Sequence, residues 1–121
     1  MADYINNEIT ASALIASSAI EDTPVYSHNG EKIGKIYNFI VDKYTGHIVY
    51  AVMSGGGFLG VGEHYYPIPW RSLSFVETPQ SFVANITKDN FAKAPKYERG
   101  FGPVYGSAYR IMVDDFYGLP R

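Results

Sequence analysis

Short β-type segments separated by turn signals recur about every ten residues through most of this chain. Asn29-Gly30 is the strongest short hairpin signal, and residues 44–46 predict another turn. The segments between the turns are rich in β-branched and aromatic residues, which favour strands. They are residues 24–27, 32–43, 47–54, 64–70, 73–77 and 81–86. About six short strands with few helical residues predict an all-β fold, a small antiparallel barrel or sandwich.

Two of these segments also indicate how the sheet curves and where it has an edge. In residues 32–43, Ile36 and Phe39 fall on opposite sides of an ideal strand. Both faces therefore carry apolar groups, as in a strand that curves around a barrel. Pro67 and Pro69 cannot donate ladder hydrogen bonds, so their strand is expected to end there or to lie at an edge of the sheet.

Two short segments flank the predicted strands. Residues 13–17, with the sequence ALIAS, fit either a short strand or a helical turn, and periodicity does not decide between them. Residues 88–94 are predicted to form a short helix, with Thr87 as its N-cap and Pro95 as its stop.

The tail of the chain carries a helical pattern. Apolar and aromatic residues repeat there at intervals of four, three and four positions, which places them on one helix face. We predict a short amphipathic helix over residues 107–117. Its apolar face must cover the barrel of the same chain or that of a neighbour. The residues of this face are Tyr105, Tyr109, Met112 and Phe116.

Composition and charge limit the classes of function. The chain has 121 residues, which suits one domain, with a net charge of −2 and 18% charged residues. Its lysines and arginines are scattered, so no direct nucleic-acid binding is expected. The absence of cysteine excludes disulfides and thiol catalysis. The longest apolar run, residues 11–20, is too short to span a bilayer and lacks a basic flank, so we expect a cytoplasmic protein without membrane insertion.

A glycine-rich loop follows the third predicted strand. Gly55, Gly57 and Gly60 match the spacing G-x-G-x-x-G of dinucleotide-binding loops. Such a loop needs a helix that opens at its end, so that free backbone N–H groups face the phosphates. Pro67 and Pro69 follow too soon for that helix. The glycines more simply allow a tight barrel corner.

Other residues with chemical potential are scattered along the chain. His28, His47 and His64 lie at or beside predicted turns, and no spacing brings them together as metal ligands. Asp114-Asp115 could hold a divalent ion, although a solvated helix face is the simpler interpretation. We therefore expect no catalytic residues, no metal site and no cofactor.

The stretch GGFLGVGEHYYPIPW, from Gly56 to Trp70, resembles the signature of the PRC-barrel family. The segments TPVYSHNGEKIGKIYNFIVDKYTGHIVYAVMS, PIPWRSLSF and NFAKAPKY fit the same family in the same order. That family includes the cytoplasmic domain of the photosynthetic reaction centre H subunit and the C-terminal domain of the ribosome-maturation factor RimM. The tail sequence DDFYGLP is similar to the ends of some small stand-alone bacterial members.

The resemblance implies a barrel of about six strands that binds protein partners and has no shared catalytic residues. On this basis residues 1–12 are an N-terminal arm, residues 13–97 the barrel domain and residues 98–121 a C-terminal extension. The leading hypothesis is a non-catalytic protein-binding module that forms a homodimer. One alternative is a small-molecule or nucleotide-binding protein, and possibly an enzyme, that uses the loop at residues 55–62. The other is a ribosome-associated factor by analogy to RimM.

Two groups of residues are the candidates for partner contacts. Phe58 and Leu59 lie between glycines at an expected loop tip. Full burial of each side chain would stabilise the protein by about 1.5–3 kcal/mol relative to leaving it exposed. Either the loop folds back over the barrel end or a partner covers it. Trp70, in contrast, is expected to anchor the core. The second group is the apolar face of the tail helix, Tyr105, Tyr109, Met112 and Phe116.

Overall fold

The computed structural model describes residues 13–56 and 63–120, which form one curved six-stranded sheet with short helices. The strands β1 to β6 span Pro24–Ser27, Lys32–Val41, Ile48–Gly55, His64–Pro69, Leu73–Val76 and Ser81–Ala84. The helices α1, α2 and α3 span Ser17–Ile20, Lys88–Phe91 and Ser107–Phe116, and a 3₁₀ turn covers Trp70–Ser72. The prediction of a small all-β barrel domain with about six strands is confirmed.

The strands follow the order β4-β3-β2-β1-β6-β5 across the sheet. Four of the pairings between described strands are antiparallel, as predicted. The pairing of β1 with β6 is parallel instead, and it places Val25 opposite Phe82. Turn signals specify only neighbours along the chain, so this long-range pairing had no local signature. The strands β4 and β5 lie at the two edges, and the prolines of β4 are at an edge as predicted.

Three register irregularities interrupt the pairing of β2 with its neighbours, and in two of them the extra residue belongs to β2 itself. One lies at Ile33, opposite β1, and the other at Tyr37, opposite β3. An extra residue in one strand shifts the alternation of its side chains. Ile36 is therefore buried and Phe39 packs against the same core, although an ideal strand predicts opposite faces for them. The predicted curvature is present, but the bulges produce it.

The turns and the short second helix follow their sequence signals. Asp42 accepts hydrogen bonds from the N–H groups of Tyr44 and Thr45 at 2.9 and 3.1 Å, and these bonds hold the pKa of its carboxyl below the usual value. Gly46 then adopts a φ of +81°, which glycine allows without steric cost. Thr87 caps α2 by accepting a hydrogen bond from the N–H of Asn90 at 3.1 Å.

Candidate functional site

An open apolar groove of about 670 Å³ lies between the residues that precede β1 and the edge strand β5. We call it the β5 groove. Among the described residues that line it, Glu77 is the only ionisable one. The groove is therefore suited to apolar contacts rather than to the recognition of a charged ligand. Its apolar walls are Leu14, Ile15, Ile48, Trp70, Phe75 and Phe82.

The floor of the β5 groove belongs to the core of the domain. Phe75 of β5 lies directly opposite Phe82 of β6, with ring centroids 5.3 Å apart. Trp70 packs edge-on against both Phe39 and Phe82, at 5.9 and 5.7 Å. Phe82 is only 2% exposed, whereas Phe75 is 44% exposed on the same face of the sheet. The side chains that cover Phe82 therefore do not extend over Phe75.

A polar side chain holds the far wall of the groove in place. The Nε2 group of Gln80 donates hydrogen bonds to the carbonyl oxygen of Ala19 at 2.8 Å and to Oγ1 of Thr23 at 2.9 Å. These bonds connect the turn between β5 and β6 to α1 and to the start of β1. The Nε2 donor of Gln80 is therefore used within the chain.

The tail covers the opposite side of the sheet. Tyr50 alternates along β3 with the core residue Ala51 and is itself 1% exposed. Its hydroxyl donates a hydrogen bond to Oδ1 of Asp114 in α3 at 3.1 Å. The ring of Tyr105 lies 5.7 Å from that of Tyr50 and 5.4 Å from that of Tyr109. Asp114 thus connects the tail to the sheet.

Three tail tyrosines have buried hydroxyls, and two of these hydroxyls, those of Tyr109 and Tyr117, have no hydrogen-bond partner among the described residues. Burial raises the pKa of each above the usual phenol value, and neighbouring tyrosines add to the effect. For Tyr109 the pKa rises to about 12. The other two are Tyr117 and Tyr105, and the hydroxyl of Tyr105 lies beside that of Tyr97 and interacts with it.

The structure separates the predicted contact residues of the tail. Tyr105 precedes α3 and packs with Tyr109 against β3, while Phe116 packs against the main core. Met112 is 48% exposed, and it is Val113 that is fully buried. The inward face of α3 therefore differs from the face predicted by the intervals. A role of these residues in binding a partner stays a prediction.

Phe58 and Leu59 lie outside the described residues, so their predicted role in binding also stays a prediction. Sequence reasoning missed Val113, although it lies four residues after Tyr109 and three before Phe116. It also missed the exposure of Phe75, since nothing in a short strand reveals that it lies at a sheet edge.

The glycine-rich loop connects β3 to β4, which pair antiparallel. A dinucleotide loop instead leads from a strand into a helix that crosses over to a parallel strand. Here a strand begins at His64. His28 lies in the β1–β2 turn and His47 directly before β3. The described part of the chain contains no group of three or more residues suited to hold a metal ion.

The described sheet and its short helices define a small β-barrel-type domain. A model of the PRC-barrel domain matches residues 14–91, and the chain belongs to that family. Domains of this family are small β-barrel modules that often take part in protein interactions. No curated protein matches the chain significantly. Within the described residues, no helix is long and apolar enough to cross a membrane.

Proposed function

We propose that this protein is a non-catalytic protein-binding module that acts as a homodimer in the cytoplasm. The observation that carries the proposal is the β5 groove, an apolar surface continuous with the core. Phe75 faces into it and keeps 44% of its surface exposed. Burial of a phenylalanine contributes about 1.5–3 kcal/mol. A partner that covers Phe75 therefore recovers part of that free energy.

The chemistry of the groove favours a protein surface over a small polar ligand. Small-molecule sites combine an apolar wall with a few polar groups that converge on the ligand. In the β5 groove the Nε2 group of Gln80 already donates hydrogen bonds within the chain, and Glu77 is the only charged side chain among the described residues that line the groove. Apolar grooves with few charges are typical of the cores of protein interfaces.

The arrangement of the other reactive side chains supports a non-catalytic role. The three histidines belong to separate turns and strand ends, and Asp114 already accepts a hydrogen bond from Tyr50. Base-assisted catalysis requires a base within hydrogen-bond reach of a nucleophile.

Sedimentation equilibrium of the wild type and of Phe75→Glu tests the proposal. We expect the wild type to dimerise and Phe75→Glu to be monomeric, because a carboxylate in an apolar interface loses its hydration without a partner. Tyr44→Glu is the matched control, since Tyr44 is 89% exposed in the β2–β3 turn, and it should remain dimeric. Circular dichroism establishes that both variants are folded. A wild type that stays monomeric at its solubility limit would refute the homodimer.

A further inference from the structure

We infer that a second copy of this chain binds at the free edge of β5, with the two β5 strands antiparallel, so that the two sheets become continuous. This inference rests on the proposed function, because it specifies the surface through which the homodimer forms. Four features support it: the free backbone edge, the direction of the side chains, the charges at the strand ends and the lack of edge protection.

The backbone of β5 has groups available for pairing. The carbonyl of Ser72 accepts a hydrogen bond from the N–H of Asn85, which continues the register of the β5–β6 pair. Groups that point toward and away from a neighbouring strand alternate along an antiparallel strand. The N–H and C=O of Phe75 therefore point away from β6. No turn or loop bond among the described residues uses them.

The side chains of β5 direct a new strand over the groove. Leu73 and Phe75 lie opposite Ala84 and Phe82, both of which are buried, so they share the core face of the sheet. A strand added at this edge places its own side chains of the same face beside Phe75. The second copy supplies another Leu73 and another Phe75, which are apolar and suited to this position.

The ends of β5 carry opposite charges. Arg71 precedes the strand and Glu77 follows it, and both are exposed. The guanidinium of Arg71 donates a hydrogen bond of 3.5 Å to the carbonyl oxygen of Pro120, and this acceptor carries no charge. Antiparallel copies bring Arg71 of each copy toward Glu77 of the other, whereas parallel copies would bring like charges together. Charge complementarity of this kind selects orientation and register. The symmetric register places Ser74 opposite its own counterpart.

The edge strand β5 is short, with four residues, but it lacks three other features that prevent strands from pairing, namely proline, charge and bulges. Proteins protect exposed edges with proline, charge or bulges. Residues 73–76 have the sequence LSFV, with no proline and no charge, and they pair with β6 without a register shift. Strand addition to such an edge is a common mode of recognition.

Disulfide trapping tests the inference, because the natural chain contains no cysteine. In the inferred register the Cα atoms of the two Ser74 residues are about 4.5 Å apart, which is within the range of disulfides. We expect Ser74→Cys to form a reducible covalent dimer rapidly under mild oxidation. Val76→Cys is the register control: its two copies are offset by four residues, about 13 Å. Thr45→Cys, in the β2–β3 turn, is the control for collisions. Neither control should cross-link.

The outcomes separate this inference from the proposed function. A wild type that is dimeric by sedimentation, while Ser74→Cys does not cross-link, overturns the β5 pairing and leaves the homodimer intact. Cross-linking at equal rates in all three variants reports random collisions and also overturns it. A monomeric wild type refutes both proposals.

Charge exchange gives a second, independent test. Arg71→Glu should raise the dimer dissociation constant several-fold, because each copy then faces the other with like charges. The double variant Arg71→Glu with Glu77→Arg should recover most of the loss. If the double variant is as weak as the single one, the two side chains do not meet across the interface, and the antiparallel pairing is wrong.

Discussion

The two edges of the sheet differ in how far the rest of the chain covers them. At β4, the backbone of Tyr65 exchanges two hydrogen bonds with that of Tyr97, at 2.9 and 3.0 Å. Pro67 and Pro69 in the same strand lack N–H groups, and α3 packs beside it. At β5, no described strand pairs with the outer edge, and Phe75 remains half exposed. One edge is closed by the chain itself, and the other is open.

The β5 edge is not open for lack of chain to cover it. Residues 98–120 all follow Tyr97, and their helix covers the β3–β4 side. This cover has a cost, because it buries the hydroxyls of Tyr109 and Tyr117 without partners among the described residues. A buried unsatisfied polar group costs about 1–3 kcal/mol. The β5 edge bears no such cost, and its apolar surface is available to another molecule.

The largest effect is expected where the tail cover is broken. Val113→Asp buries an unpaired carboxylate beneath α3 and should lower the free energy of unfolding by about 3–5 kcal/mol, since Val113 has no exposed surface. Met112→Asp is the matched control at the adjacent position, 48% exposed, and should change it by less than about 0.5 kcal/mol. Urea denaturation measures both.

The same pair also tests whether the two edges are independent. If the tail is only a cover for β4, Val113→Asp should leave the dimer affinity unchanged at temperatures where the variant is folded. Equal destabilisation by the two variants would show that α3 does not pack through Val113. The contrast between a closed and an open edge would then lose its basis.

Much of the sheet follows from the sequence because its signals are local. Asn29-Gly30 and residues 44–46 lie in turns as predicted, and Thr87 caps its helix as predicted. The parallel β1–β6 pairing and the bulges of β2 depend instead on contacts between distant segments. The consequence at Phe39 is specific: local alternation predicts the side opposite Ile36, and the bulge at Tyr37 returns it to the core.

The candidate site was less predictable than the fold, for a related reason. The sequence of β5, with Phe75 in its third position, is compatible with either a central or an edge strand. Its exposure depends on which strands lie beside it, which is a property of topology. The intervals predict Met112 on the apolar face of α3, whereas the next residue, Val113, is the buried one, because the pattern begins at Tyr105, before the helix.

A smaller effect is expected from the buried hydroxyls at the closed edge. Tyr117→Phe removes a buried hydroxyl that has no partner among the described residues, so it should raise the free energy of unfolding by about 1 kcal/mol. Tyr50→Phe is the matched control, because its hydroxyl donates to Asp114, and it should lower the free energy by a similar amount. Thermal denaturation distinguishes the two signs. If both variants are destabilised, the Tyr117 hydroxyl is satisfied in solution and the cover carries a smaller cost.

The smallest effect concerns the pH dependence of the two edges. Burial raises the native pKa of Tyr105, Tyr109 and Tyr117, to about 12 for Tyr109, while an unfolded tyrosine ionises near about 10. Above about pH 10 the unfolded chain therefore loses protons that the folded chain retains. The free energy of unfolding must then fall as pH rises. Below the pKa of the unfolded tyrosines, the stabilisation that these protonated hydroxyls provide is fully present. Urea denaturation across this range should show the fall in the wild type and a shallower one in Tyr117→Phe.

Phe75→Glu should keep the wild-type slope, because no described tyrosine lines the β5 groove. A slope that changes equally in both variants would mean that the alkaline loss does not arise from the closed edge.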